Sequence, residues 1–298
     1  MNIYQHTDIE KLADEFTDAL LSKENFNASS AKGGFLTGGN VIVCESKGLQ
    51  EYLQKKCVDK CGIWIALPFK PLAGLLMQCA YNLSSKEHKK DEKENAFNAN
   101  NLIWAIYRLL EGEKKTFSFA SEIASLFSAY QIYRPKLIEQ WEKNEAYKIK
   151  NADENFIRNE KWQRELWLKL KAEFKDEQNV SELYKFMESK LKEPGNENRF
   201  LPKQIFIFAP VAIAPIHLST LKLLAKAGCK VNLYLFQISN EYIGEHLSDK
   251  QIAYLRKKSW ANDKIVNEKE LYWDLGNRLI ANLGRCSQVL YEQLLEEL

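Results

Sequence analysis

Cys57 and Cys61 are four residues apart, the nearest thing to a metal-ligand spacing in this chain. On one helix face they could offer two thiolates, but zinc wants two further ligands at matched spacing. His88, the nearest histidine in sequence, sits in a charged run, and His6, His88, His217 and His246 make no spaced cluster. Structural free thiols are the expectation, and no metal site is assigned. His6, close to a helix start, stands where an anion could be met; a surface or capping histidine is the plainer reading.

Phosphate chemistry is the next class to test. A phosphate loop needs glycines that let backbone N–H groups approach the phosphate, and a lysine that neutralises it. Gly33-Gly34 and Gly38-Gly39 lack the Lys and Ser/Thr that would have to follow, and the first strand-to-helix turn, Tyr4-Gln5-His6-Thr7-Asp8, has neither glycine nor lysine. No ATP site, no other cofactor and no catalytic residue is expected. Glu296-Glu297 and Asp91-Glu92 lie in polar stretches and read as solubility features, not acid–base pairs. No nucleophile elbow of the G-x-S-x-G kind occurs. Lys161-Trp162-Gln163-Arg164 and Trp167 to Lys171 mix cations with aromatics as single-strand-binding surfaces do. An amphipathic helix with buried tryptophans and exposed lysines accounts for the same pattern.

The elements that would carry these residues can be read from periodicity. Ile3-Tyr4 is a short strand, Thr7-Asp8 offers an N-cap, and Leu12, Phe16 and Leu20 repeat on one face of a helix over Ile9 to Leu21. Asn27 to Asn40 reads as a loop. Val41 to Cys44 is a continuous apolar run, the mark of a strand buried on both faces, followed at once by a helix over Gly48 to Cys57. A second apolar segment, Gly62 to Leu67, ends at Pro68 and Pro71, and Ser84 to Glu94 is a charged connection.

From Asn100 the pattern turns helical. Leu102, Ile106 and Leu109 form one stripe; Phe119, Ile123, Leu126, Phe127 and Tyr130 a second; Trp162, Leu166, Leu170 and Phe174 a third, extended by Leu183, Phe186, Met187 and Leu191. Pro194 to Asn198 is a linker. A strand over Gln204 to Phe208, a helix over Ile216 to Lys226 and a strand over Val231 to Phe236 then have the lengths of a right-handed parallel crossover. A last helix is expected from about Leu275 to the end, with Leu275, Leu279, Leu283, Cys286, Leu290 and Leu294 along one side. The expected fold is thus a parallel α/β body using both chain ends, residues 1–95 and 195–298, around an inserted helical subdomain, 96–194. Val41 to Cys44 should lie in one sheet with the two late strands.

At 298 residues the chain is long enough for more than one lobe. A net charge of +2 leaves no basic body for non-specific nucleic-acid binding, so any DNA contact must come from local placement of groups. The polar Met1 to Asp8 has no signal-peptide character, no apolar run could span a bilayer, and six scattered cysteines suit a reducing compartment. A cytoplasmic location without membrane contact is expected.

Several blocks resemble a known family. Ala124-Ser125-Leu126-Phe127, then Gln131-Ile132-Tyr133-Arg134-Pro135 and Trp141, is similar to the A-x-L-F-x-x-Y-x-x-Y-R-P…W segment of RecC. Lys161-Trp162-Gln163 with Leu166-Trp167 resembles its W-Q-x-x-L-W. Leu201 to Phe208 with Pro215 resembles L-P-x-x-V-F-I-x-G…P, and Phe236 through Glu245 resembles F-N-P-C-R-E-Y-W-G-D. Leu275 through Arg285 resembles G-N-P-L-L-A-S-x-G-R, and Val41 to Gln54 the early strand–helix block. The blocks run in order along almost the whole chain.

The resemblance implies a superfamily 1 helicase-like lobe that has lost its phosphate loop. It implies the N-terminal part of an exonuclease V gamma subunit that hydrolyses nothing itself. RecB-like and RecD-like partners, a single DNA strand emerging from an unwound duplex, and roles in double-strand-break repair and homologous recombination are implied with it. The family's signal-reading turn, V-Q-S-T-G-M-x-Q-W, falls on Cys44 to Tyr52. This makes Ser46, Lys47, Gly48 and Glu51 the candidate DNA contacts. Ser46 and Gly48 keep the pattern; Glu45, Lys47 and Glu51 depart from it. Glutamine both donates to and accepts from a base edge, whereas glutamate only accepts and repels phosphate. A different DNA readout is therefore expected, with Lys47 available for phosphate and Ser46 also able to cap its helix. The rival readings are an assembly scaffold without DNA contact and an AddB-like ATPase or nuclease relative.

Overall fold

The computed structural model describes residues 1–22, 39–63, 67–84, 96–112, 115–149, 152–175, 177–192, 201–240, 246–261 and 277–297. They group into two compact units. The first holds Met1–Leu72, Leu201–Pro215 and Leu224–Leu298; the second holds Ala73–Phe200 with Ile216–Leu223.

The first unit is built on one parallel sheet. Its strands are β1 (Asn2–His6), β2 (Asn40–Val43), β3 (Phe69–Lys70), β4 (Gln204–Phe208) and β5 (Lys230–Phe236), in the order β1-β5-β4-β2-β3. The register sets Ile3 beside Leu233, Ile205 beside Val231, Val41 beside Ile205 and Ile42 beside Phe69. The early apolar run and the two late ones thus lie in one sheet, as their composition requires: Ile205 to Phe208 and Val231 to Leu235 are buried along their length, which only a strand covered on both faces sustains. Asn232, inside that run, is 3% exposed and accepts a 2.9 Å hydrogen bond from the Asn2 side chain on the neighbouring strand, so its burial leaves no unpaired carbonyl.

Helix α1 (Ile9–Leu20) lays Leu12, Phe16 and Leu20 on the sheet, and the Phe16 ring meets those of Phe206, Phe208 and Tyr234 at 5.2–6.0 Å. Helix α2 (Lys47–Cys61) adds Leu53 and Cys57 to the same core and is tied to α1 by Lys56–Asp14 at 3.2 Å and Lys60–Asp18 at 2.8 Å. Gly62 ends α2 in the left-handed conformation that glycine adopts without strain.

One sequence expectation is corrected here. Residues 64–66 of the apolar segment Gly62 to Leu67 lie outside the described residues; just beyond it, between Pro68 and Pro71, Phe69–Lys70 pairs with β2 as a two-residue strand, since the prolines bracket only two residues with free N–H groups. The single long C-terminal helix is two. Helix α11 (Arg278–Leu283) is capped by Asn277 and stops at Gly284; helix α12 (Arg285–Glu297) then follows. A Cβ at position 284 would lie 2.6 Å from the Ile280 carbonyl oxygen and closer still to the Ile238 side chain, so the chain turns where only glycine fits. The expected stripe breaks with it: Leu279 (67%), Leu283 (78%) and Cys286 are exposed, while Leu290 and Leu294 are buried. Helix α10 (Asp249–Ala261) completes this unit. The loop 27–40, the charged run 84–94 and the linker 194–198 lie mostly or wholly outside the described residues.

The second unit is helical. It holds most of α3 (Leu72–Ser84), then α4 (Ala99–Leu109), α5 (Phe117–Tyr133), α6 (Pro135–Glu142), α7 (Glu154–Glu173) and α8 (Val180–Lys192), with the central part of α9 (Pro215–Lys226). Its core joins Leu102, Ile106, Ile123, Phe127, Trp141, Trp167 and Leu170, with residues from the first three expected stripes; Leu183 and Met187 of the fourth are buried outside this cluster. Two buried polar side chains fix its joints. Gln131, fully buried, donates to the Phe97 and Phe127 carbonyls and accepts the Val180 N–H at 2.9 Å, so α5 holds the start of α8. Glu160 accepts from the Trp141 indole at 2.8 Å, the Tyr147 N–H at 3.0 Å and Arg164 Nε at 3.2 Å. Asn179 and Glu182 close a reciprocal capping box at the same end of α8.

Candidate nucleic-acid interface

The four candidate residues stand together where β2 runs into α2. Ser46 is the N-cap, with φ −84° and ψ 119°, and its hydroxyl accepts the Leu49 N–H at 3.4 Å. Gln50 turns inward and donates to the Cys44 carbonyl at 2.6 Å, pinning the turn from below. Glu45, Ser46, Lys47, Gly48 and Glu51 are exposed. Among the described residues no ion pair engages Lys47 or Glu51. At Gly48 the nearest atom to an added Cβ is the Ser46 hydroxyl at 3.9 Å, so packing leaves room for a side chain there.

Sheet topology gives this turn a particular place. From β2 the chain continues toward β3, and from β4 it continues toward β5, in the opposite direction along the sheet. The C-terminal ends of β2 and β4 therefore flank a topological switch point, the position where open α/β sheets take ligands. The backbone after β4 bends there through Ala209, which has φ of 45° and donates its N–H to the Tyr234 carbonyl.

The first turn differs in electrostatic character. His6 Nδ1 accepts the Asp8 N–H at 2.8 Å, and the Asp8 carboxylate accepts the Glu10 N–H at 2.9 Å and the Lys11 N–H at 3.4 Å. The amides a phosphate would use are thus taken by a carboxylate, with Glu10 beside it. The capping reading of His6 holds. Burial pushes the Cys57 thiol up to about 11, Cys61 donates to the Cys57 carbonyl, and burial also raises Cys44. Among the described residues no three His, Cys, Asp or Glu side chains group as metal ligands.

The basic-aromatic stretch of α7 is largely committed internally. Trp167 is buried, Trp162 packs on Phe119 at 6.0 Å between centroids, Arg164 holds Glu160 and Asn144, and Lys171 holds Glu182 at 2.5 Å. The amphipathic-helix reading fits this geometry.

One feature of the first unit escaped sequence reasoning. A small cleft of about 70 Å³ opens at the C-terminal end of β5. Its floor is Leu235, Leu290 and Leu294, all buried, and its rim carries Ser239, Asn240 and Ser287. It joins segments some fifty residues apart, so no local motif signals it; the four-residue step from Leu290 to Leu294 is its only trace in the sequence.

Comparison with known proteins adds a global likeness. The family model described as RecC, N-terminal domain, matches residues 1–298. The chain is 27% identical over 258 residues to a RecBCD enzyme subunit RecC of Haemophilus influenzae, covering 74% of this chain and 22% of that one. It is 25% identical over 247 residues to a RecBCD enzyme subunit RecC of Buchnera aphidicola of Acyrthosiphon pisum, covering 76% and 22%. With that of Escherichia coli K12 it shares 23% identity over 288 residues, covering 83% and 24%. The chain thus spans less than a quarter of the length of these relatives.

Proposed function

The chain belongs to the RecC family, and from that premise we propose that it is a non-catalytic, DNA-handling module of a RecBCD-type exonuclease V subunit acting in break repair and recombination. In this reading the sheet of the first unit is a helicase-like lobe without its fuel site, and residues 96–194 are the core of an inserted helical subdomain. The carboxylate-capped first turn supports the loss of ATP binding. RecB-like and RecD-like subunits are the partners, and a single strand from an unwound duplex is the ligand. No helix among the described residues is long and apolar enough to cross a membrane.

The observation that carries the reading is Lys47: an exposed cation with no partner among the described residues, on the first turn of a helix at the switch point of a parallel sheet. Ser46 and Gly48 flank it without bulk, so a phosphate can approach both the ammonium and the helix N-terminus. Glu45 and Glu51 border the site with negative charge and confine a strand to a narrow path between them.

The test is a salt titration of oligothymidylate binding followed by fluorescence anisotropy. One phosphate contact contributes about 0.7 to the slope of log K against log salt for single strands, so Lys47→Ala should flatten the slope by about that amount. Absence of binding by the wild-type chain would select the scaffold reading instead.

A further inference from the structure

We propose that the outer face of α10 is a second binding surface for a single DNA strand, with lysines on its phosphates and one base stacked on Tyr254. The inference rests on the strand-binding reading above for its ligand class, and on residues far from Lys47 in sequence.

Helical spacing assembles the face. Lys250, Tyr254 and Lys257 fall at i, i+4 and i+7 and so share one side of α10. All three are exposed, Tyr254 to 65%. Ile252 lies on the opposite side and is buried, which turns that side into the fold. Ser248 and Gln251 close a reciprocal capping box at the first turn with bonds of 2.8–3.3 Å. Asp249 accepts from Asn282 of α11 at 3.2 Å. The helix is thus held in place while Lys250, Tyr254 and Lys257 meet solvent.

Charge decides the sign of the ligand. α10 sets Lys250, Arg256, Lys257 and Lys258 against one carboxylate, Asp249, a surplus greater than the +2 of the whole chain. Among the described residues no ion pair engages Lys250 or Lys257. Such a face attracts polyanions. Tyr254 decides among them. A duplex keeps its bases stacked inside and has no use for the ring, whereas a single strand can lay an unpaired base on it. An anionic membrane would call for a free apolar face, and that of α10 is turned into the fold. Lys250 and Lys257 stand about 10 Å apart along the helix axis. Successive phosphates of a stacked strand rise by about 3.4 Å, so the two lysines meet non-adjacent phosphates and a nucleotide between them lies over Tyr254. Ala253, exposed beside the ring, adds no bulk to that approach.

The test uses the full chain and two probes, oligothymidylate and an abasic strand of equal length, by anisotropy across a salt series. Stacking one base gives roughly a tenfold preference for the base-bearing strand. Tyr254→Ala should bring that preference close to one at an unchanged salt slope, and Tyr254→Phe, which keeps the ring, should retain it. Lys250→Ala combined with Lys257→Ala should flatten the slope by about 1.4, two contacts at about 0.7 each. All three positions are exposed, so the fold does not depend on them. A slope untouched by the double variant but flattened by Lys47→Ala would overturn this surface and leave the Lys47 reading standing. The reverse pattern would support this surface and overturn that reading. Equal binding of both strands, or a preference untouched by Tyr254→Ala, would overturn the stacked base and the proposal with it. Polyglutamate of equal charge binding as tightly as oligothymidylate would assign the face to acidic peptides instead. No binding of either strand would remove both readings.

Discussion

Gln131→Leu should unlock the second unit from a single position. The side chain is fully buried and holds three backbone groups: it donates to the carbonyls of Phe97 and Phe127 and accepts the Val180 N–H at 2.9 Å. Val180 is the first residue of α8, where intrahelical acceptors do not exist, so its amide loses its acceptor outright. A buried amide left without a partner costs about 1–3 kcal/mol, and the bond to Phe97 adds about 1 kcal/mol. The Phe127 carbonyl keeps its own helix and loses little. Better burial of leucine returns about 1 kcal/mol. The net is about 1–3 kcal/mol, a sizeable share of a typical stability of 5–15 kcal/mol. Urea unfolding followed by tryptophan fluorescence reads this directly, because Trp141 and Trp167 lie in the core that Gln131 serves. A lower midpoint at unchanged slope is expected. A loss under about 0.5 kcal/mol would show that the α5–α8 joint does not depend on these bonds.

His217 should make stability fall in mild acid. Burial pushes its imidazole down to about 4, beside the ring of Tyr184 at 5.6 Å, so the unfolded chain takes up a proton near pH 6.5 that the folded chain refuses until about 4. Stability conferred by this group is complete above pH 6.5 and falls as pH drops toward 4, by up to about 3 kcal/mol, and His217→Leu should flatten that part of a Tm-against-pH curve. Glu160→Ala leaves the Trp141 indole, the Tyr147 N–H and Arg164 without their shared acceptor and should cost about 3–5 kcal/mol in urea unfolding. Glu160→Gln keeps an oxygen in place and should cost clearly less; equal losses would mean that shape rather than hydrogen bonding matters there.

How far the fold was legible depended on how burial wrote itself into the sequence. β4 and β5 are covered on both faces, so their side chains alternate nothing and read as apolar runs. α1 is covered on one face, so Leu12, Phe16 and Leu20 step by four. α3 went unread because Pro68 and Pro71 crowd its start and its apolar residues nearly surround it, leaving no polar face to mark a period. The C-terminal helix was over-extended because the leucine spacing continues past Gly284, and only the close approach of Ile238 and the Ile280 carbonyl reveals the break. The candidate turn at Ser46 was legible from its residues; the cleft was not, since only the packing of α12 brings 287–294 beside 235–240.

The likeness to RecC and the proposed readout of DNA draw on different residues. In the block from Ala124 to Trp141, Ala124 and Phe127 are buried, Gln131 pins two helices, Pro135 opens α6 and Trp141 donates into the buried Glu160. These residues hold a shape, and they carry no information about a ligand. The turn from Glu45 to Glu51 is the reverse case: Ser46 and Gln50 hold it in place, while Glu45, Lys47 and Glu51 face solvent and are the positions at which the resemblance implies a departure from the family pattern. Exchange of two glutamines of that pattern for glutamates removes two amide donors and sets negative charge beside a phosphate path. Under the proposed function, a shared frame with an altered turn would bind a strand and select a different sequence along it. The relative affinities of base-substituted strands, not affinity for oligothymidylate, are the quantity in which that difference appears.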